Sequence, residues 1–377
     1  MTGGRVLVVT NDFPPRPGGI QSFVHGLVSR LPPGDVVVLT SRWRGWQEWD
    51  AEQPYEIVRA DTSVLLPTPA VRRQAAELLR SRGCSAVWFG AAAPLGLLAP
   101  ALRRAGADRL VATTHGHEVG WSMLPAARPL LRRIAASVDV VTYLGGFTRR
   151  HLARALGGHA DRLRRLTPGV DATVFRPGCG TGVRASLGLA DRPVVVCVSR
   201  LMPRKGQDVL LRALPAIRAA VPDAALLLVG GGPSRGDLER YVDRNGLRAH
   251  VVLTGSVPAA ELPAYYGAGD VFAMPCRTRL GGVDVEGLGM VYLEAAACGL
   301  PVAAGRSGGA PDAVRDGDTG VVVDGASVPA VADAISALLS DRAGASAMGA
   351  RGREWVEREW SWDRSVDSLR EWLVEPV

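Results

Sequence analysis

Val194-Val-Val-Cys-Val-Ser-Arg-Leu-Met-Pro-Arg-Lys-Gly206 joins an apolar run, 194–198, to a segment of helical periodicity, 207–219. Five consecutive apolar residues suit a parallel strand buried on both faces. A turn ending in glycine, leading from such a strand into a helix, is where backbone N–H groups gather around an anion. Lys205 is the only lysine among 44 basic residues; every other one is arginine. An ammonium is a compact charge with three rotatable donors, whereas a guanidinium is a planar fork. One lysine kept beside Arg200 and Gly206 therefore points to a tight phosphate site. A lysine retained by chance on the surface is the competing explanation.

Strand and helix patterns alternate outward from this stretch in both directions. Strands are predicted at 5–10, 36–40, 86–89, 110–113 and 138–142, then at 194–198, 225–229, 251–253, 271–274, 301–304 and 320–323. Helices are predicted at 20–31, 70–82, 95–105, 127–136 and 147–156. Turn-forming residues at 167–178 read as an interdomain linker. The fold class is α/β, with two Rossmann-like doubly wound domains, 1–169 and 170–357, expected to face a central cleft. A helical stretch at 347–373 carries Trp355, Trp360, Trp362 and Trp372. Its large apolar side chains need a docking surface, and a C-terminal helix at about 358–377 is expected to pack back on the first domain.

The net charge of +7 is unevenly spread. Residues 1–170 hold 22 arginines against 12 acidic residues, and the remainder holds 22 basic against 25 acidic. The basic half implies an anionic partner: a phospholipid surface, an anionic acceptor or a nucleic acid. Nucleic acid is disfavoured, because the arginines are dispersed and no reader motif accompanies them. Basic helices with Arg72, Arg73, Arg80 and Arg82, and with Arg128, Arg132 and Arg133, read as solvated faces or as peripheral contacts with an anionic membrane surface. Trp43, Trp46 and Trp49 read as packed on the domain, with a membrane interface or an acceptor cleft as alternatives. The five cysteines are far apart with no C-x-x-C, which suits a reducing compartment and no zinc site. The chain begins with a strand rather than a leader, and its longest apolar stretch is too short to span a bilayer. A cytoplasmic location follows as the expectation, with peripheral attachment at the inner face of the cell membrane.

Ligands of open α/β sheets sit beyond the C-terminal ends of the strands, at points where the strand order reverses. The segments in those places contain Gly18-Gly19, Thr114-His-Gly-His-Glu118, Arg200 with Lys205, Gly230-Gly-Gly232, Gly255-Ser256 and Arg277 to Glu286. Gly18-Gly19 fits close backbone approach to a ligand or a plain turn equally well. Glu286 is predicted at or just before a helix start and Glu294 within that helix. Eight helical residues span about 12 Å, more than the roughly 5–9.5 Å between paired glycosidase carboxylates. The two can hold opposite ends of one long ligand but cannot share one bond.

Glu286 and Glu294 form E-x7-E, and Arg200 with Lys205 forms R-x4-K. Together they resemble the retaining glycosyltransferases of family 4, of GT-B architecture, over essentially the whole chain. Val8-Val-Thr-Asn-Asp-Phe-Pro-Pro15, Leu66-Pro-Thr-Pro69, Phe89-Gly-Ala-Ala-Ala-Pro-Leu95, Thr114-His-Gly-His-Glu-Val-Gly-Trp-Ser-Met-Leu-Pro125 and Asp284-Val-Glu-Gly-Leu-Gly289 narrow the resemblance. They look like the actinobacterial α-(1→6)-mannosyltransferases that use GDP-mannose to extend phosphatidylinositol monomannoside, a step of phosphatidylinositol mannoside biosynthesis.

The resemblance implies that Arg200 and Lys205 bind the donor diphosphate and that Glu294 holds the ribose. Glu286, with N–H groups near Gly287 and Leu288, would meet the mannose hydroxyls. Gly18 and Gly19 would close on the diphosphate, Ser256 and Val257 would meet the base, and His115 would lie beside the transferred sugar. His115, Arg200, Lys205 and Glu286 are thus the catalytic candidates. Asn11, Asp12, Pro67, His117, Glu118 and Trp121 are the acceptor-side candidates. The implied partners are the nucleotide-sugar donor and a phosphoinositide glycolipid acceptor. No cofactor and no metal are expected: no Asp-x-Asp motif follows a strand, Asp284-Val-Glu286 resembles a sugar loop, and two cations suffice to neutralise a diphosphate. No second carboxylate is placed as a nucleophile, so a same-face substitution is expected, driven by positioning and leaving-group electrostatics. Lys205→Ala is expected to cut turnover by about 10²–10³ and to leave folding intact. Another nucleotide sugar, a soluble cyclitol or natural-product acceptor, and a silent nucleotide-sugar binder stay open as alternatives. Donor hydrolysis without acceptor separates the last from an enzyme.

Overall fold

The computed structural model describes residues 4–374. The chain divides into two compact units. One holds the described residues of Met1–Gly169 and Trp362–Val377, and the other holds Val170–Ser361.

The first unit is built on seven strands: β1 (Arg5–Val9), β2 (Val36–Ser41), β3 (Glu56–Ala60), β4 (Cys84–Phe89), β5 (Arg109–Ala112), β6 (Val140–Tyr143) and β7 (Leu163–Arg165). Their order is β3-β2-β1-β4-β5-β6-β7, and every pairing is parallel. The order reverses between β1 and β4. Central strands such as Val36–Ser41 are buried at every position, as their apolar runs require. β3 and β7 have no counterpart in the sequence reading. They are the two edge strands, and their charged, partly exposed residues give no apolar run to detect.

The second unit has six strands: β8 (Val194–Val198), β9 (Ala225–Val229), β10 (Val251–Gly255), β11 (Val271–Met274), β12 (Val302–Gly305) and β13 (Gly320–Val323). The order is β10-β9-β8-β11-β12-β13, again all parallel. Here the order reverses between β8 and β11, which are hydrogen-bonded neighbours.

The segment predicted as helix at 95–105 is a 3₁₀ turn, Leu95–Leu98, followed by the short helix Ala99–Arg104. The C-terminal helical stretch breaks at Trp360 and Ser361 into two helices. Arg342–Glu359 lies in the second unit, where Trp360 is fully buried and meets Trp355 edge-on at 5.4 Å. Trp362–Val374 lies in the first unit. The Trp362 ring presses on Gly26 so closely that a Cβ there would sit 2.4 Å from it, and Arg30 lies over the same ring at 5.0 Å. Residues 375–377 of the expected helix lie outside the described residues.

Candidate active site

In the second unit, the loops that follow β8 and β11 meet at the reversal point. Gln207, at the start of the helix Gln207–Ala220, is 99 % buried and bonds Ser199 Oγ (2.8 Å) and the Arg200 carbonyl (3.0 Å). These bonds fix the exit from β8. A 3₁₀ turn, Pro203–Lys205, then leads to Gly206 in the left-handed region (φ 81°). A Cβ on Gly206 would lie 2.1 Å from the Pro275 carbonyl oxygen, so glycine alone lets the β8 loop pass this close to β11.

That approach brings together two of the predicted residues. Lys205 Nζ donates to Glu286 Oε2 at 2.6 Å, and both side chains are nine-tenths buried. Arg204, which the sequence reading did not single out, stands 3.8 Å from the same carboxylate oxygen and 3.4 Å from Asp284 Oδ1. Arg279 holds the other oxygen of Asp284 at 3.5 Å. The Asp284 and Glu286 carboxylates therefore face cationic side chains. Ser307 Oγ accepts the Glu286 N–H at 3.4 Å, and the Gly309 N–H donates to the Glu286 carbonyl at 2.8 Å. Among the described residues, no group of three or more His, Cys, Asp or Glu side chains is gathered as a metal would need.

The buried pair changes one expectation. Lys205→Ala would leave Glu286 as a buried carboxylate stripped of its close partner, which is strongly destabilising. The variant would fold with a lowered stability instead of an unchanged one.

The second unit also carries the donor-side candidates Arg200, Ser256, Val257, Gly287, Leu288 and Glu294. Arg200 is exposed and lies outside the ion pairs formed among the described residues. Glu286 precedes the helix Met290–Ala297 by four residues. Glu294 lies in its second turn and accepts a hydrogen bond from Tyr266 Oη. Burial raises the Glu294 carboxyl, and the Tyr266 bond pulls it back down. Burial and the neighbouring Glu294 charge hold the Tyr266 phenol well above its ordinary range. The two glutamates thus have separate partners. Ser256 is exposed and Val257 half-buried after β10, Gly287 is half-buried and Leu288 is buried.

In the first unit, the corresponding reversal lies between β1 and β4, and His115 follows the next strand, β5. Its Nε2 lies 2.5 Å from the Gly90 carbonyl, which requires the proton there and leaves Nδ1 as an acceptor. Burial pushes the imidazole below its usual range, with Glu118 opposing the shift, so the ring is neutral near pH 7. The His115 N–H donates to Glu118 Oε2 at 2.9 Å, and His117 Nε2 lies 3.2 Å from Glu118 Oε1. Glu118 is fully buried, whereas the His117 side chain is 40 % exposed. Asn11 pairs with both backbone groups of Leu65, its Oδ1 accepting the N–H (2.6 Å) and its Nδ2 donating to the carbonyl (2.9 Å). Asp12 Oδ1 accepts Gln21 Nε2 at 2.7 Å. Pro67 and Trp121 are half-buried. Gly18 (φ 154°) caps the helix Gly19–Val28, and Gly19 is exposed at its first turn.

Two family descriptions match the chain: Glycosyltransferase Family 4 over residues 17–174, and Glycosyl transferases group 1 over residues 183–355. The chain is 53 % identical over 374 residues to the GDP-mannose-dependent alpha-(1-6)-phosphatidylinositol monomannoside mannosyltransferase of Mycolicibacterium smegmatis, covering 98 % of each. It is 52 % identical over 377 residues to the protein of the same description from Mycobacterium tuberculosis, again covering 98 % of each. Among solved structures, Anabaena HepE in complex with UDP superposes with a TM-score of 0.82 at 20 % identity, covering 97 % of this chain and 98 % of that one.

Proposed function

The chain belongs to the family 4 glycosyltransferases, and from that membership we propose that it transfers mannose from GDP-mannose to phosphatidylinositol monomannoside, forming an α-1,6 linkage. The observation that carries this reading is near-full-length identity above 50 % to mannosyltransferases of that description, in a chain that keeps Arg200, Lys205, Glu286 and Glu294. The first unit takes the acceptor, and the second takes the nucleotide sugar. Lys205, with Arg200, receives the diphosphate and stabilises it as it leaves. Glu286 meets the mannose hydroxyls, and the half-buried Glu294 holds the ribose. His115 Nδ1 accepts a hydrogen bond from the transferred sugar. The reaction retains configuration: the acceptor hydroxyl attacks on the face the nucleotide leaves, and a departing phosphate oxygen takes its proton. Positioning and leaving-group stabilisation carry the rate, with no metal required.

Peripheral membrane contact belongs to the same reading. No described helix is long and apolar enough to cross a bilayer. Val64, Leu66, Met123, Leu124 and Leu130 are exposed aliphatic side chains, all in the first unit. Exposed Arg72 and Arg73 follow the first two in sequence, and exposed Arg128, Arg132 and Arg133 neighbour the others. Aliphatic tips beside guanidinium groups suit an anionic interface at the inner face of the membrane.

Purified protein incubated with radiolabelled GDP-mannose and mixed membrane lipids, with and without a chelator, tests the proposal. The expected product is a labelled phosphoinositide lipid from which α-mannosidase releases the label, formed equally in both conditions. Label found only in a water-soluble product would overturn the acceptor assignment, and loss of turnover with the chelator would overturn metal independence.

A further inference from the structure

Residues 11–19, between β1 and the helix Gly19–Val28, are gripped largely by one segment, residues 41–60, to which the proposed reaction gives no part. Phe13 is 99 % buried and meets Trp49 edge-on at 5.6 Å and Tyr55 at 6.4 Å. Arg16 lies over the Trp43 ring at 4.9 Å. Beneath them is Arg59 of β3, whose side chain is 2 % exposed. Its Nη2 donates to the Pro14 carbonyl (2.6 Å) and to Asp50 Oδ1 (2.7 Å), its Nε to Asp50 Oδ2 (3.0 Å), and its Nη1 to the Ser41 carbonyl (2.9 Å). One guanidinium thereby ties the loop after β1 to the end of β2 and to the helix Trp46–Ala51.

We propose that residues 41–60 are a clamp that sets the position of the Gly18-Gly19 loop, with Arg59 as its positioning residue. Arg59 does not touch substrate; it acts through the Pro14 carbonyl, four residues before Gly18. A buried guanidinium persists only where its donors are used and its charge is matched, and Asp50 supplies the match bidentately. The planar fork is what lets one side chain reach three places at once, and an ammonium lacks that geometry. Trp43 and Trp49 are the outer and inner jaws, which gives the tryptophan cluster of this segment its purpose.

The inference rests on the reading that Gly18 and Gly19 meet the donor diphosphate. Its test is the ratio of GDP to GMP affinity, by calorimetry on the full chain, because only GDP has the second phosphate. Arg59→Lys is expected to lower that ratio about tenfold, a modest part of the roughly 10²-fold that a 1 Å misplacement can cost. Trp43→Leu alters a 39 % exposed side chain that folding tolerates, and is expected to lower the ratio about threefold. It keeps the question answerable if Arg59→Lys does not fold. A purely structural role would weaken GDP and GMP alike and leave the ratio unchanged; that result in the folded variants overturns the clamp. A wild-type protein with no preference for GDP over GMP would instead remove the donor reading on which the clamp stands.

Discussion

Separating the stability of the Lys205–Glu286 pair from its chemistry is the sharpest available test of the site. The ammonium and carboxylate are 2.6 Å apart, and only 11 % and 8 % of their side chains are exposed. Removing one member of such a pair costs about 3–5 kcal/mol, because the survivor is left charged and buried. A domain of 150–250 residues moves by about 2–4 °C per kcal/mol, so Lys205→Ala should lower the melting of the second unit by roughly 6–20 °C. Arg204, at 3.8 Å from Glu286, is the next cation and keeps the loss toward the lower end. Combining Lys205→Ala with Glu286→Gln removes both charges and should recover more than half of the lost stability, for a coupling of about 2 kcal/mol or more. Turnover should behave differently. Each single change is expected to cut kcat by about 10²–10³, and the double change should restore none of it. Calorimetry on the four proteins and initial rates with GDP-mannose complete the cycle. A Lys205→Ala protein that melts with the wild type would refute the buried pair, and a double variant with recovered turnover would refute its place in the reaction.

Three further outcomes follow from other groups. His115 is held below the ordinary imidazole range in the fold, while the unfolded chain takes its proton near pH 6.5; stability should fall as the pH drops through 6.5 toward the lowered folded value, and melting curves from pH 5 to 8 should show a flatter dependence for His115→Gln. The Tyr266 phenol donates to Glu294 and lowers its raised carboxyl, so Tyr266→Phe should shift the acidic limb of kcat/KM for GDP-mannose to higher pH; an unmoved limb would count against Glu294 as a donor contact. Asn11→Ala strips both backbone bonds from Leu65. It should raise the acceptor KM about tenfold, in line with one or two lost hydrogen bonds, while the KM for GDP-mannose stays put.

The doubly wound pattern was legible because central parallel strands are apolar on both faces, so 194–198, 225–229 and 271–274 carry the same bounds in sequence and structure; 320–323, an edge strand, was legible because its own residues are a glycine and three valines. β3 was illegible for the opposite reason: as an edge strand it reads Glu-Ile-Val-Arg-Ala, with charges where a buried strand would have none. Losing β3 also hid Arg59, whose reach to Pro14 depends on β3 pairing with β2 and β2 with β1. Trp43 and Trp49 were visible as residues but not as a clamp. Packing on the domain holds for Trp49, while Trp43 is a half-exposed platform for Arg16. In the second unit the motifs pointed to Lys205 and Glu286, yet motif spacing places residues on loops and says nothing of their pairing. Tyr266 left no sequence signal at all, since a tyrosine in a short apolar helix reads as core until its hydroxyl is seen against Glu294.

The lone lysine acquires a physical reason once Glu286 is placed beside it. A lysine side chain 11 % exposed needs a countercharge, and Glu286 supplies it through a single oxygen. Of the three donors on Nζ, that bond uses one. Two remain for phosphate oxygens, and Glu286 Oε1 lies outside the bond, available to a sugar hydroxyl. A guanidinium in the same place would favour the two-pronged engagement seen for Arg59 with Asp50, occupying both carboxylate oxygens in one plane. Such a pair would be stronger and chemically closed. The clamp needs a closed pair, because its task is to hold backbone in place. Under the proposed function the donor site needs an open one, because the cation and the anion would each address a different part of one ligand. That difference in task accounts for arginine at position 59 and lysine at position 205 in a chain that otherwise uses arginine alone.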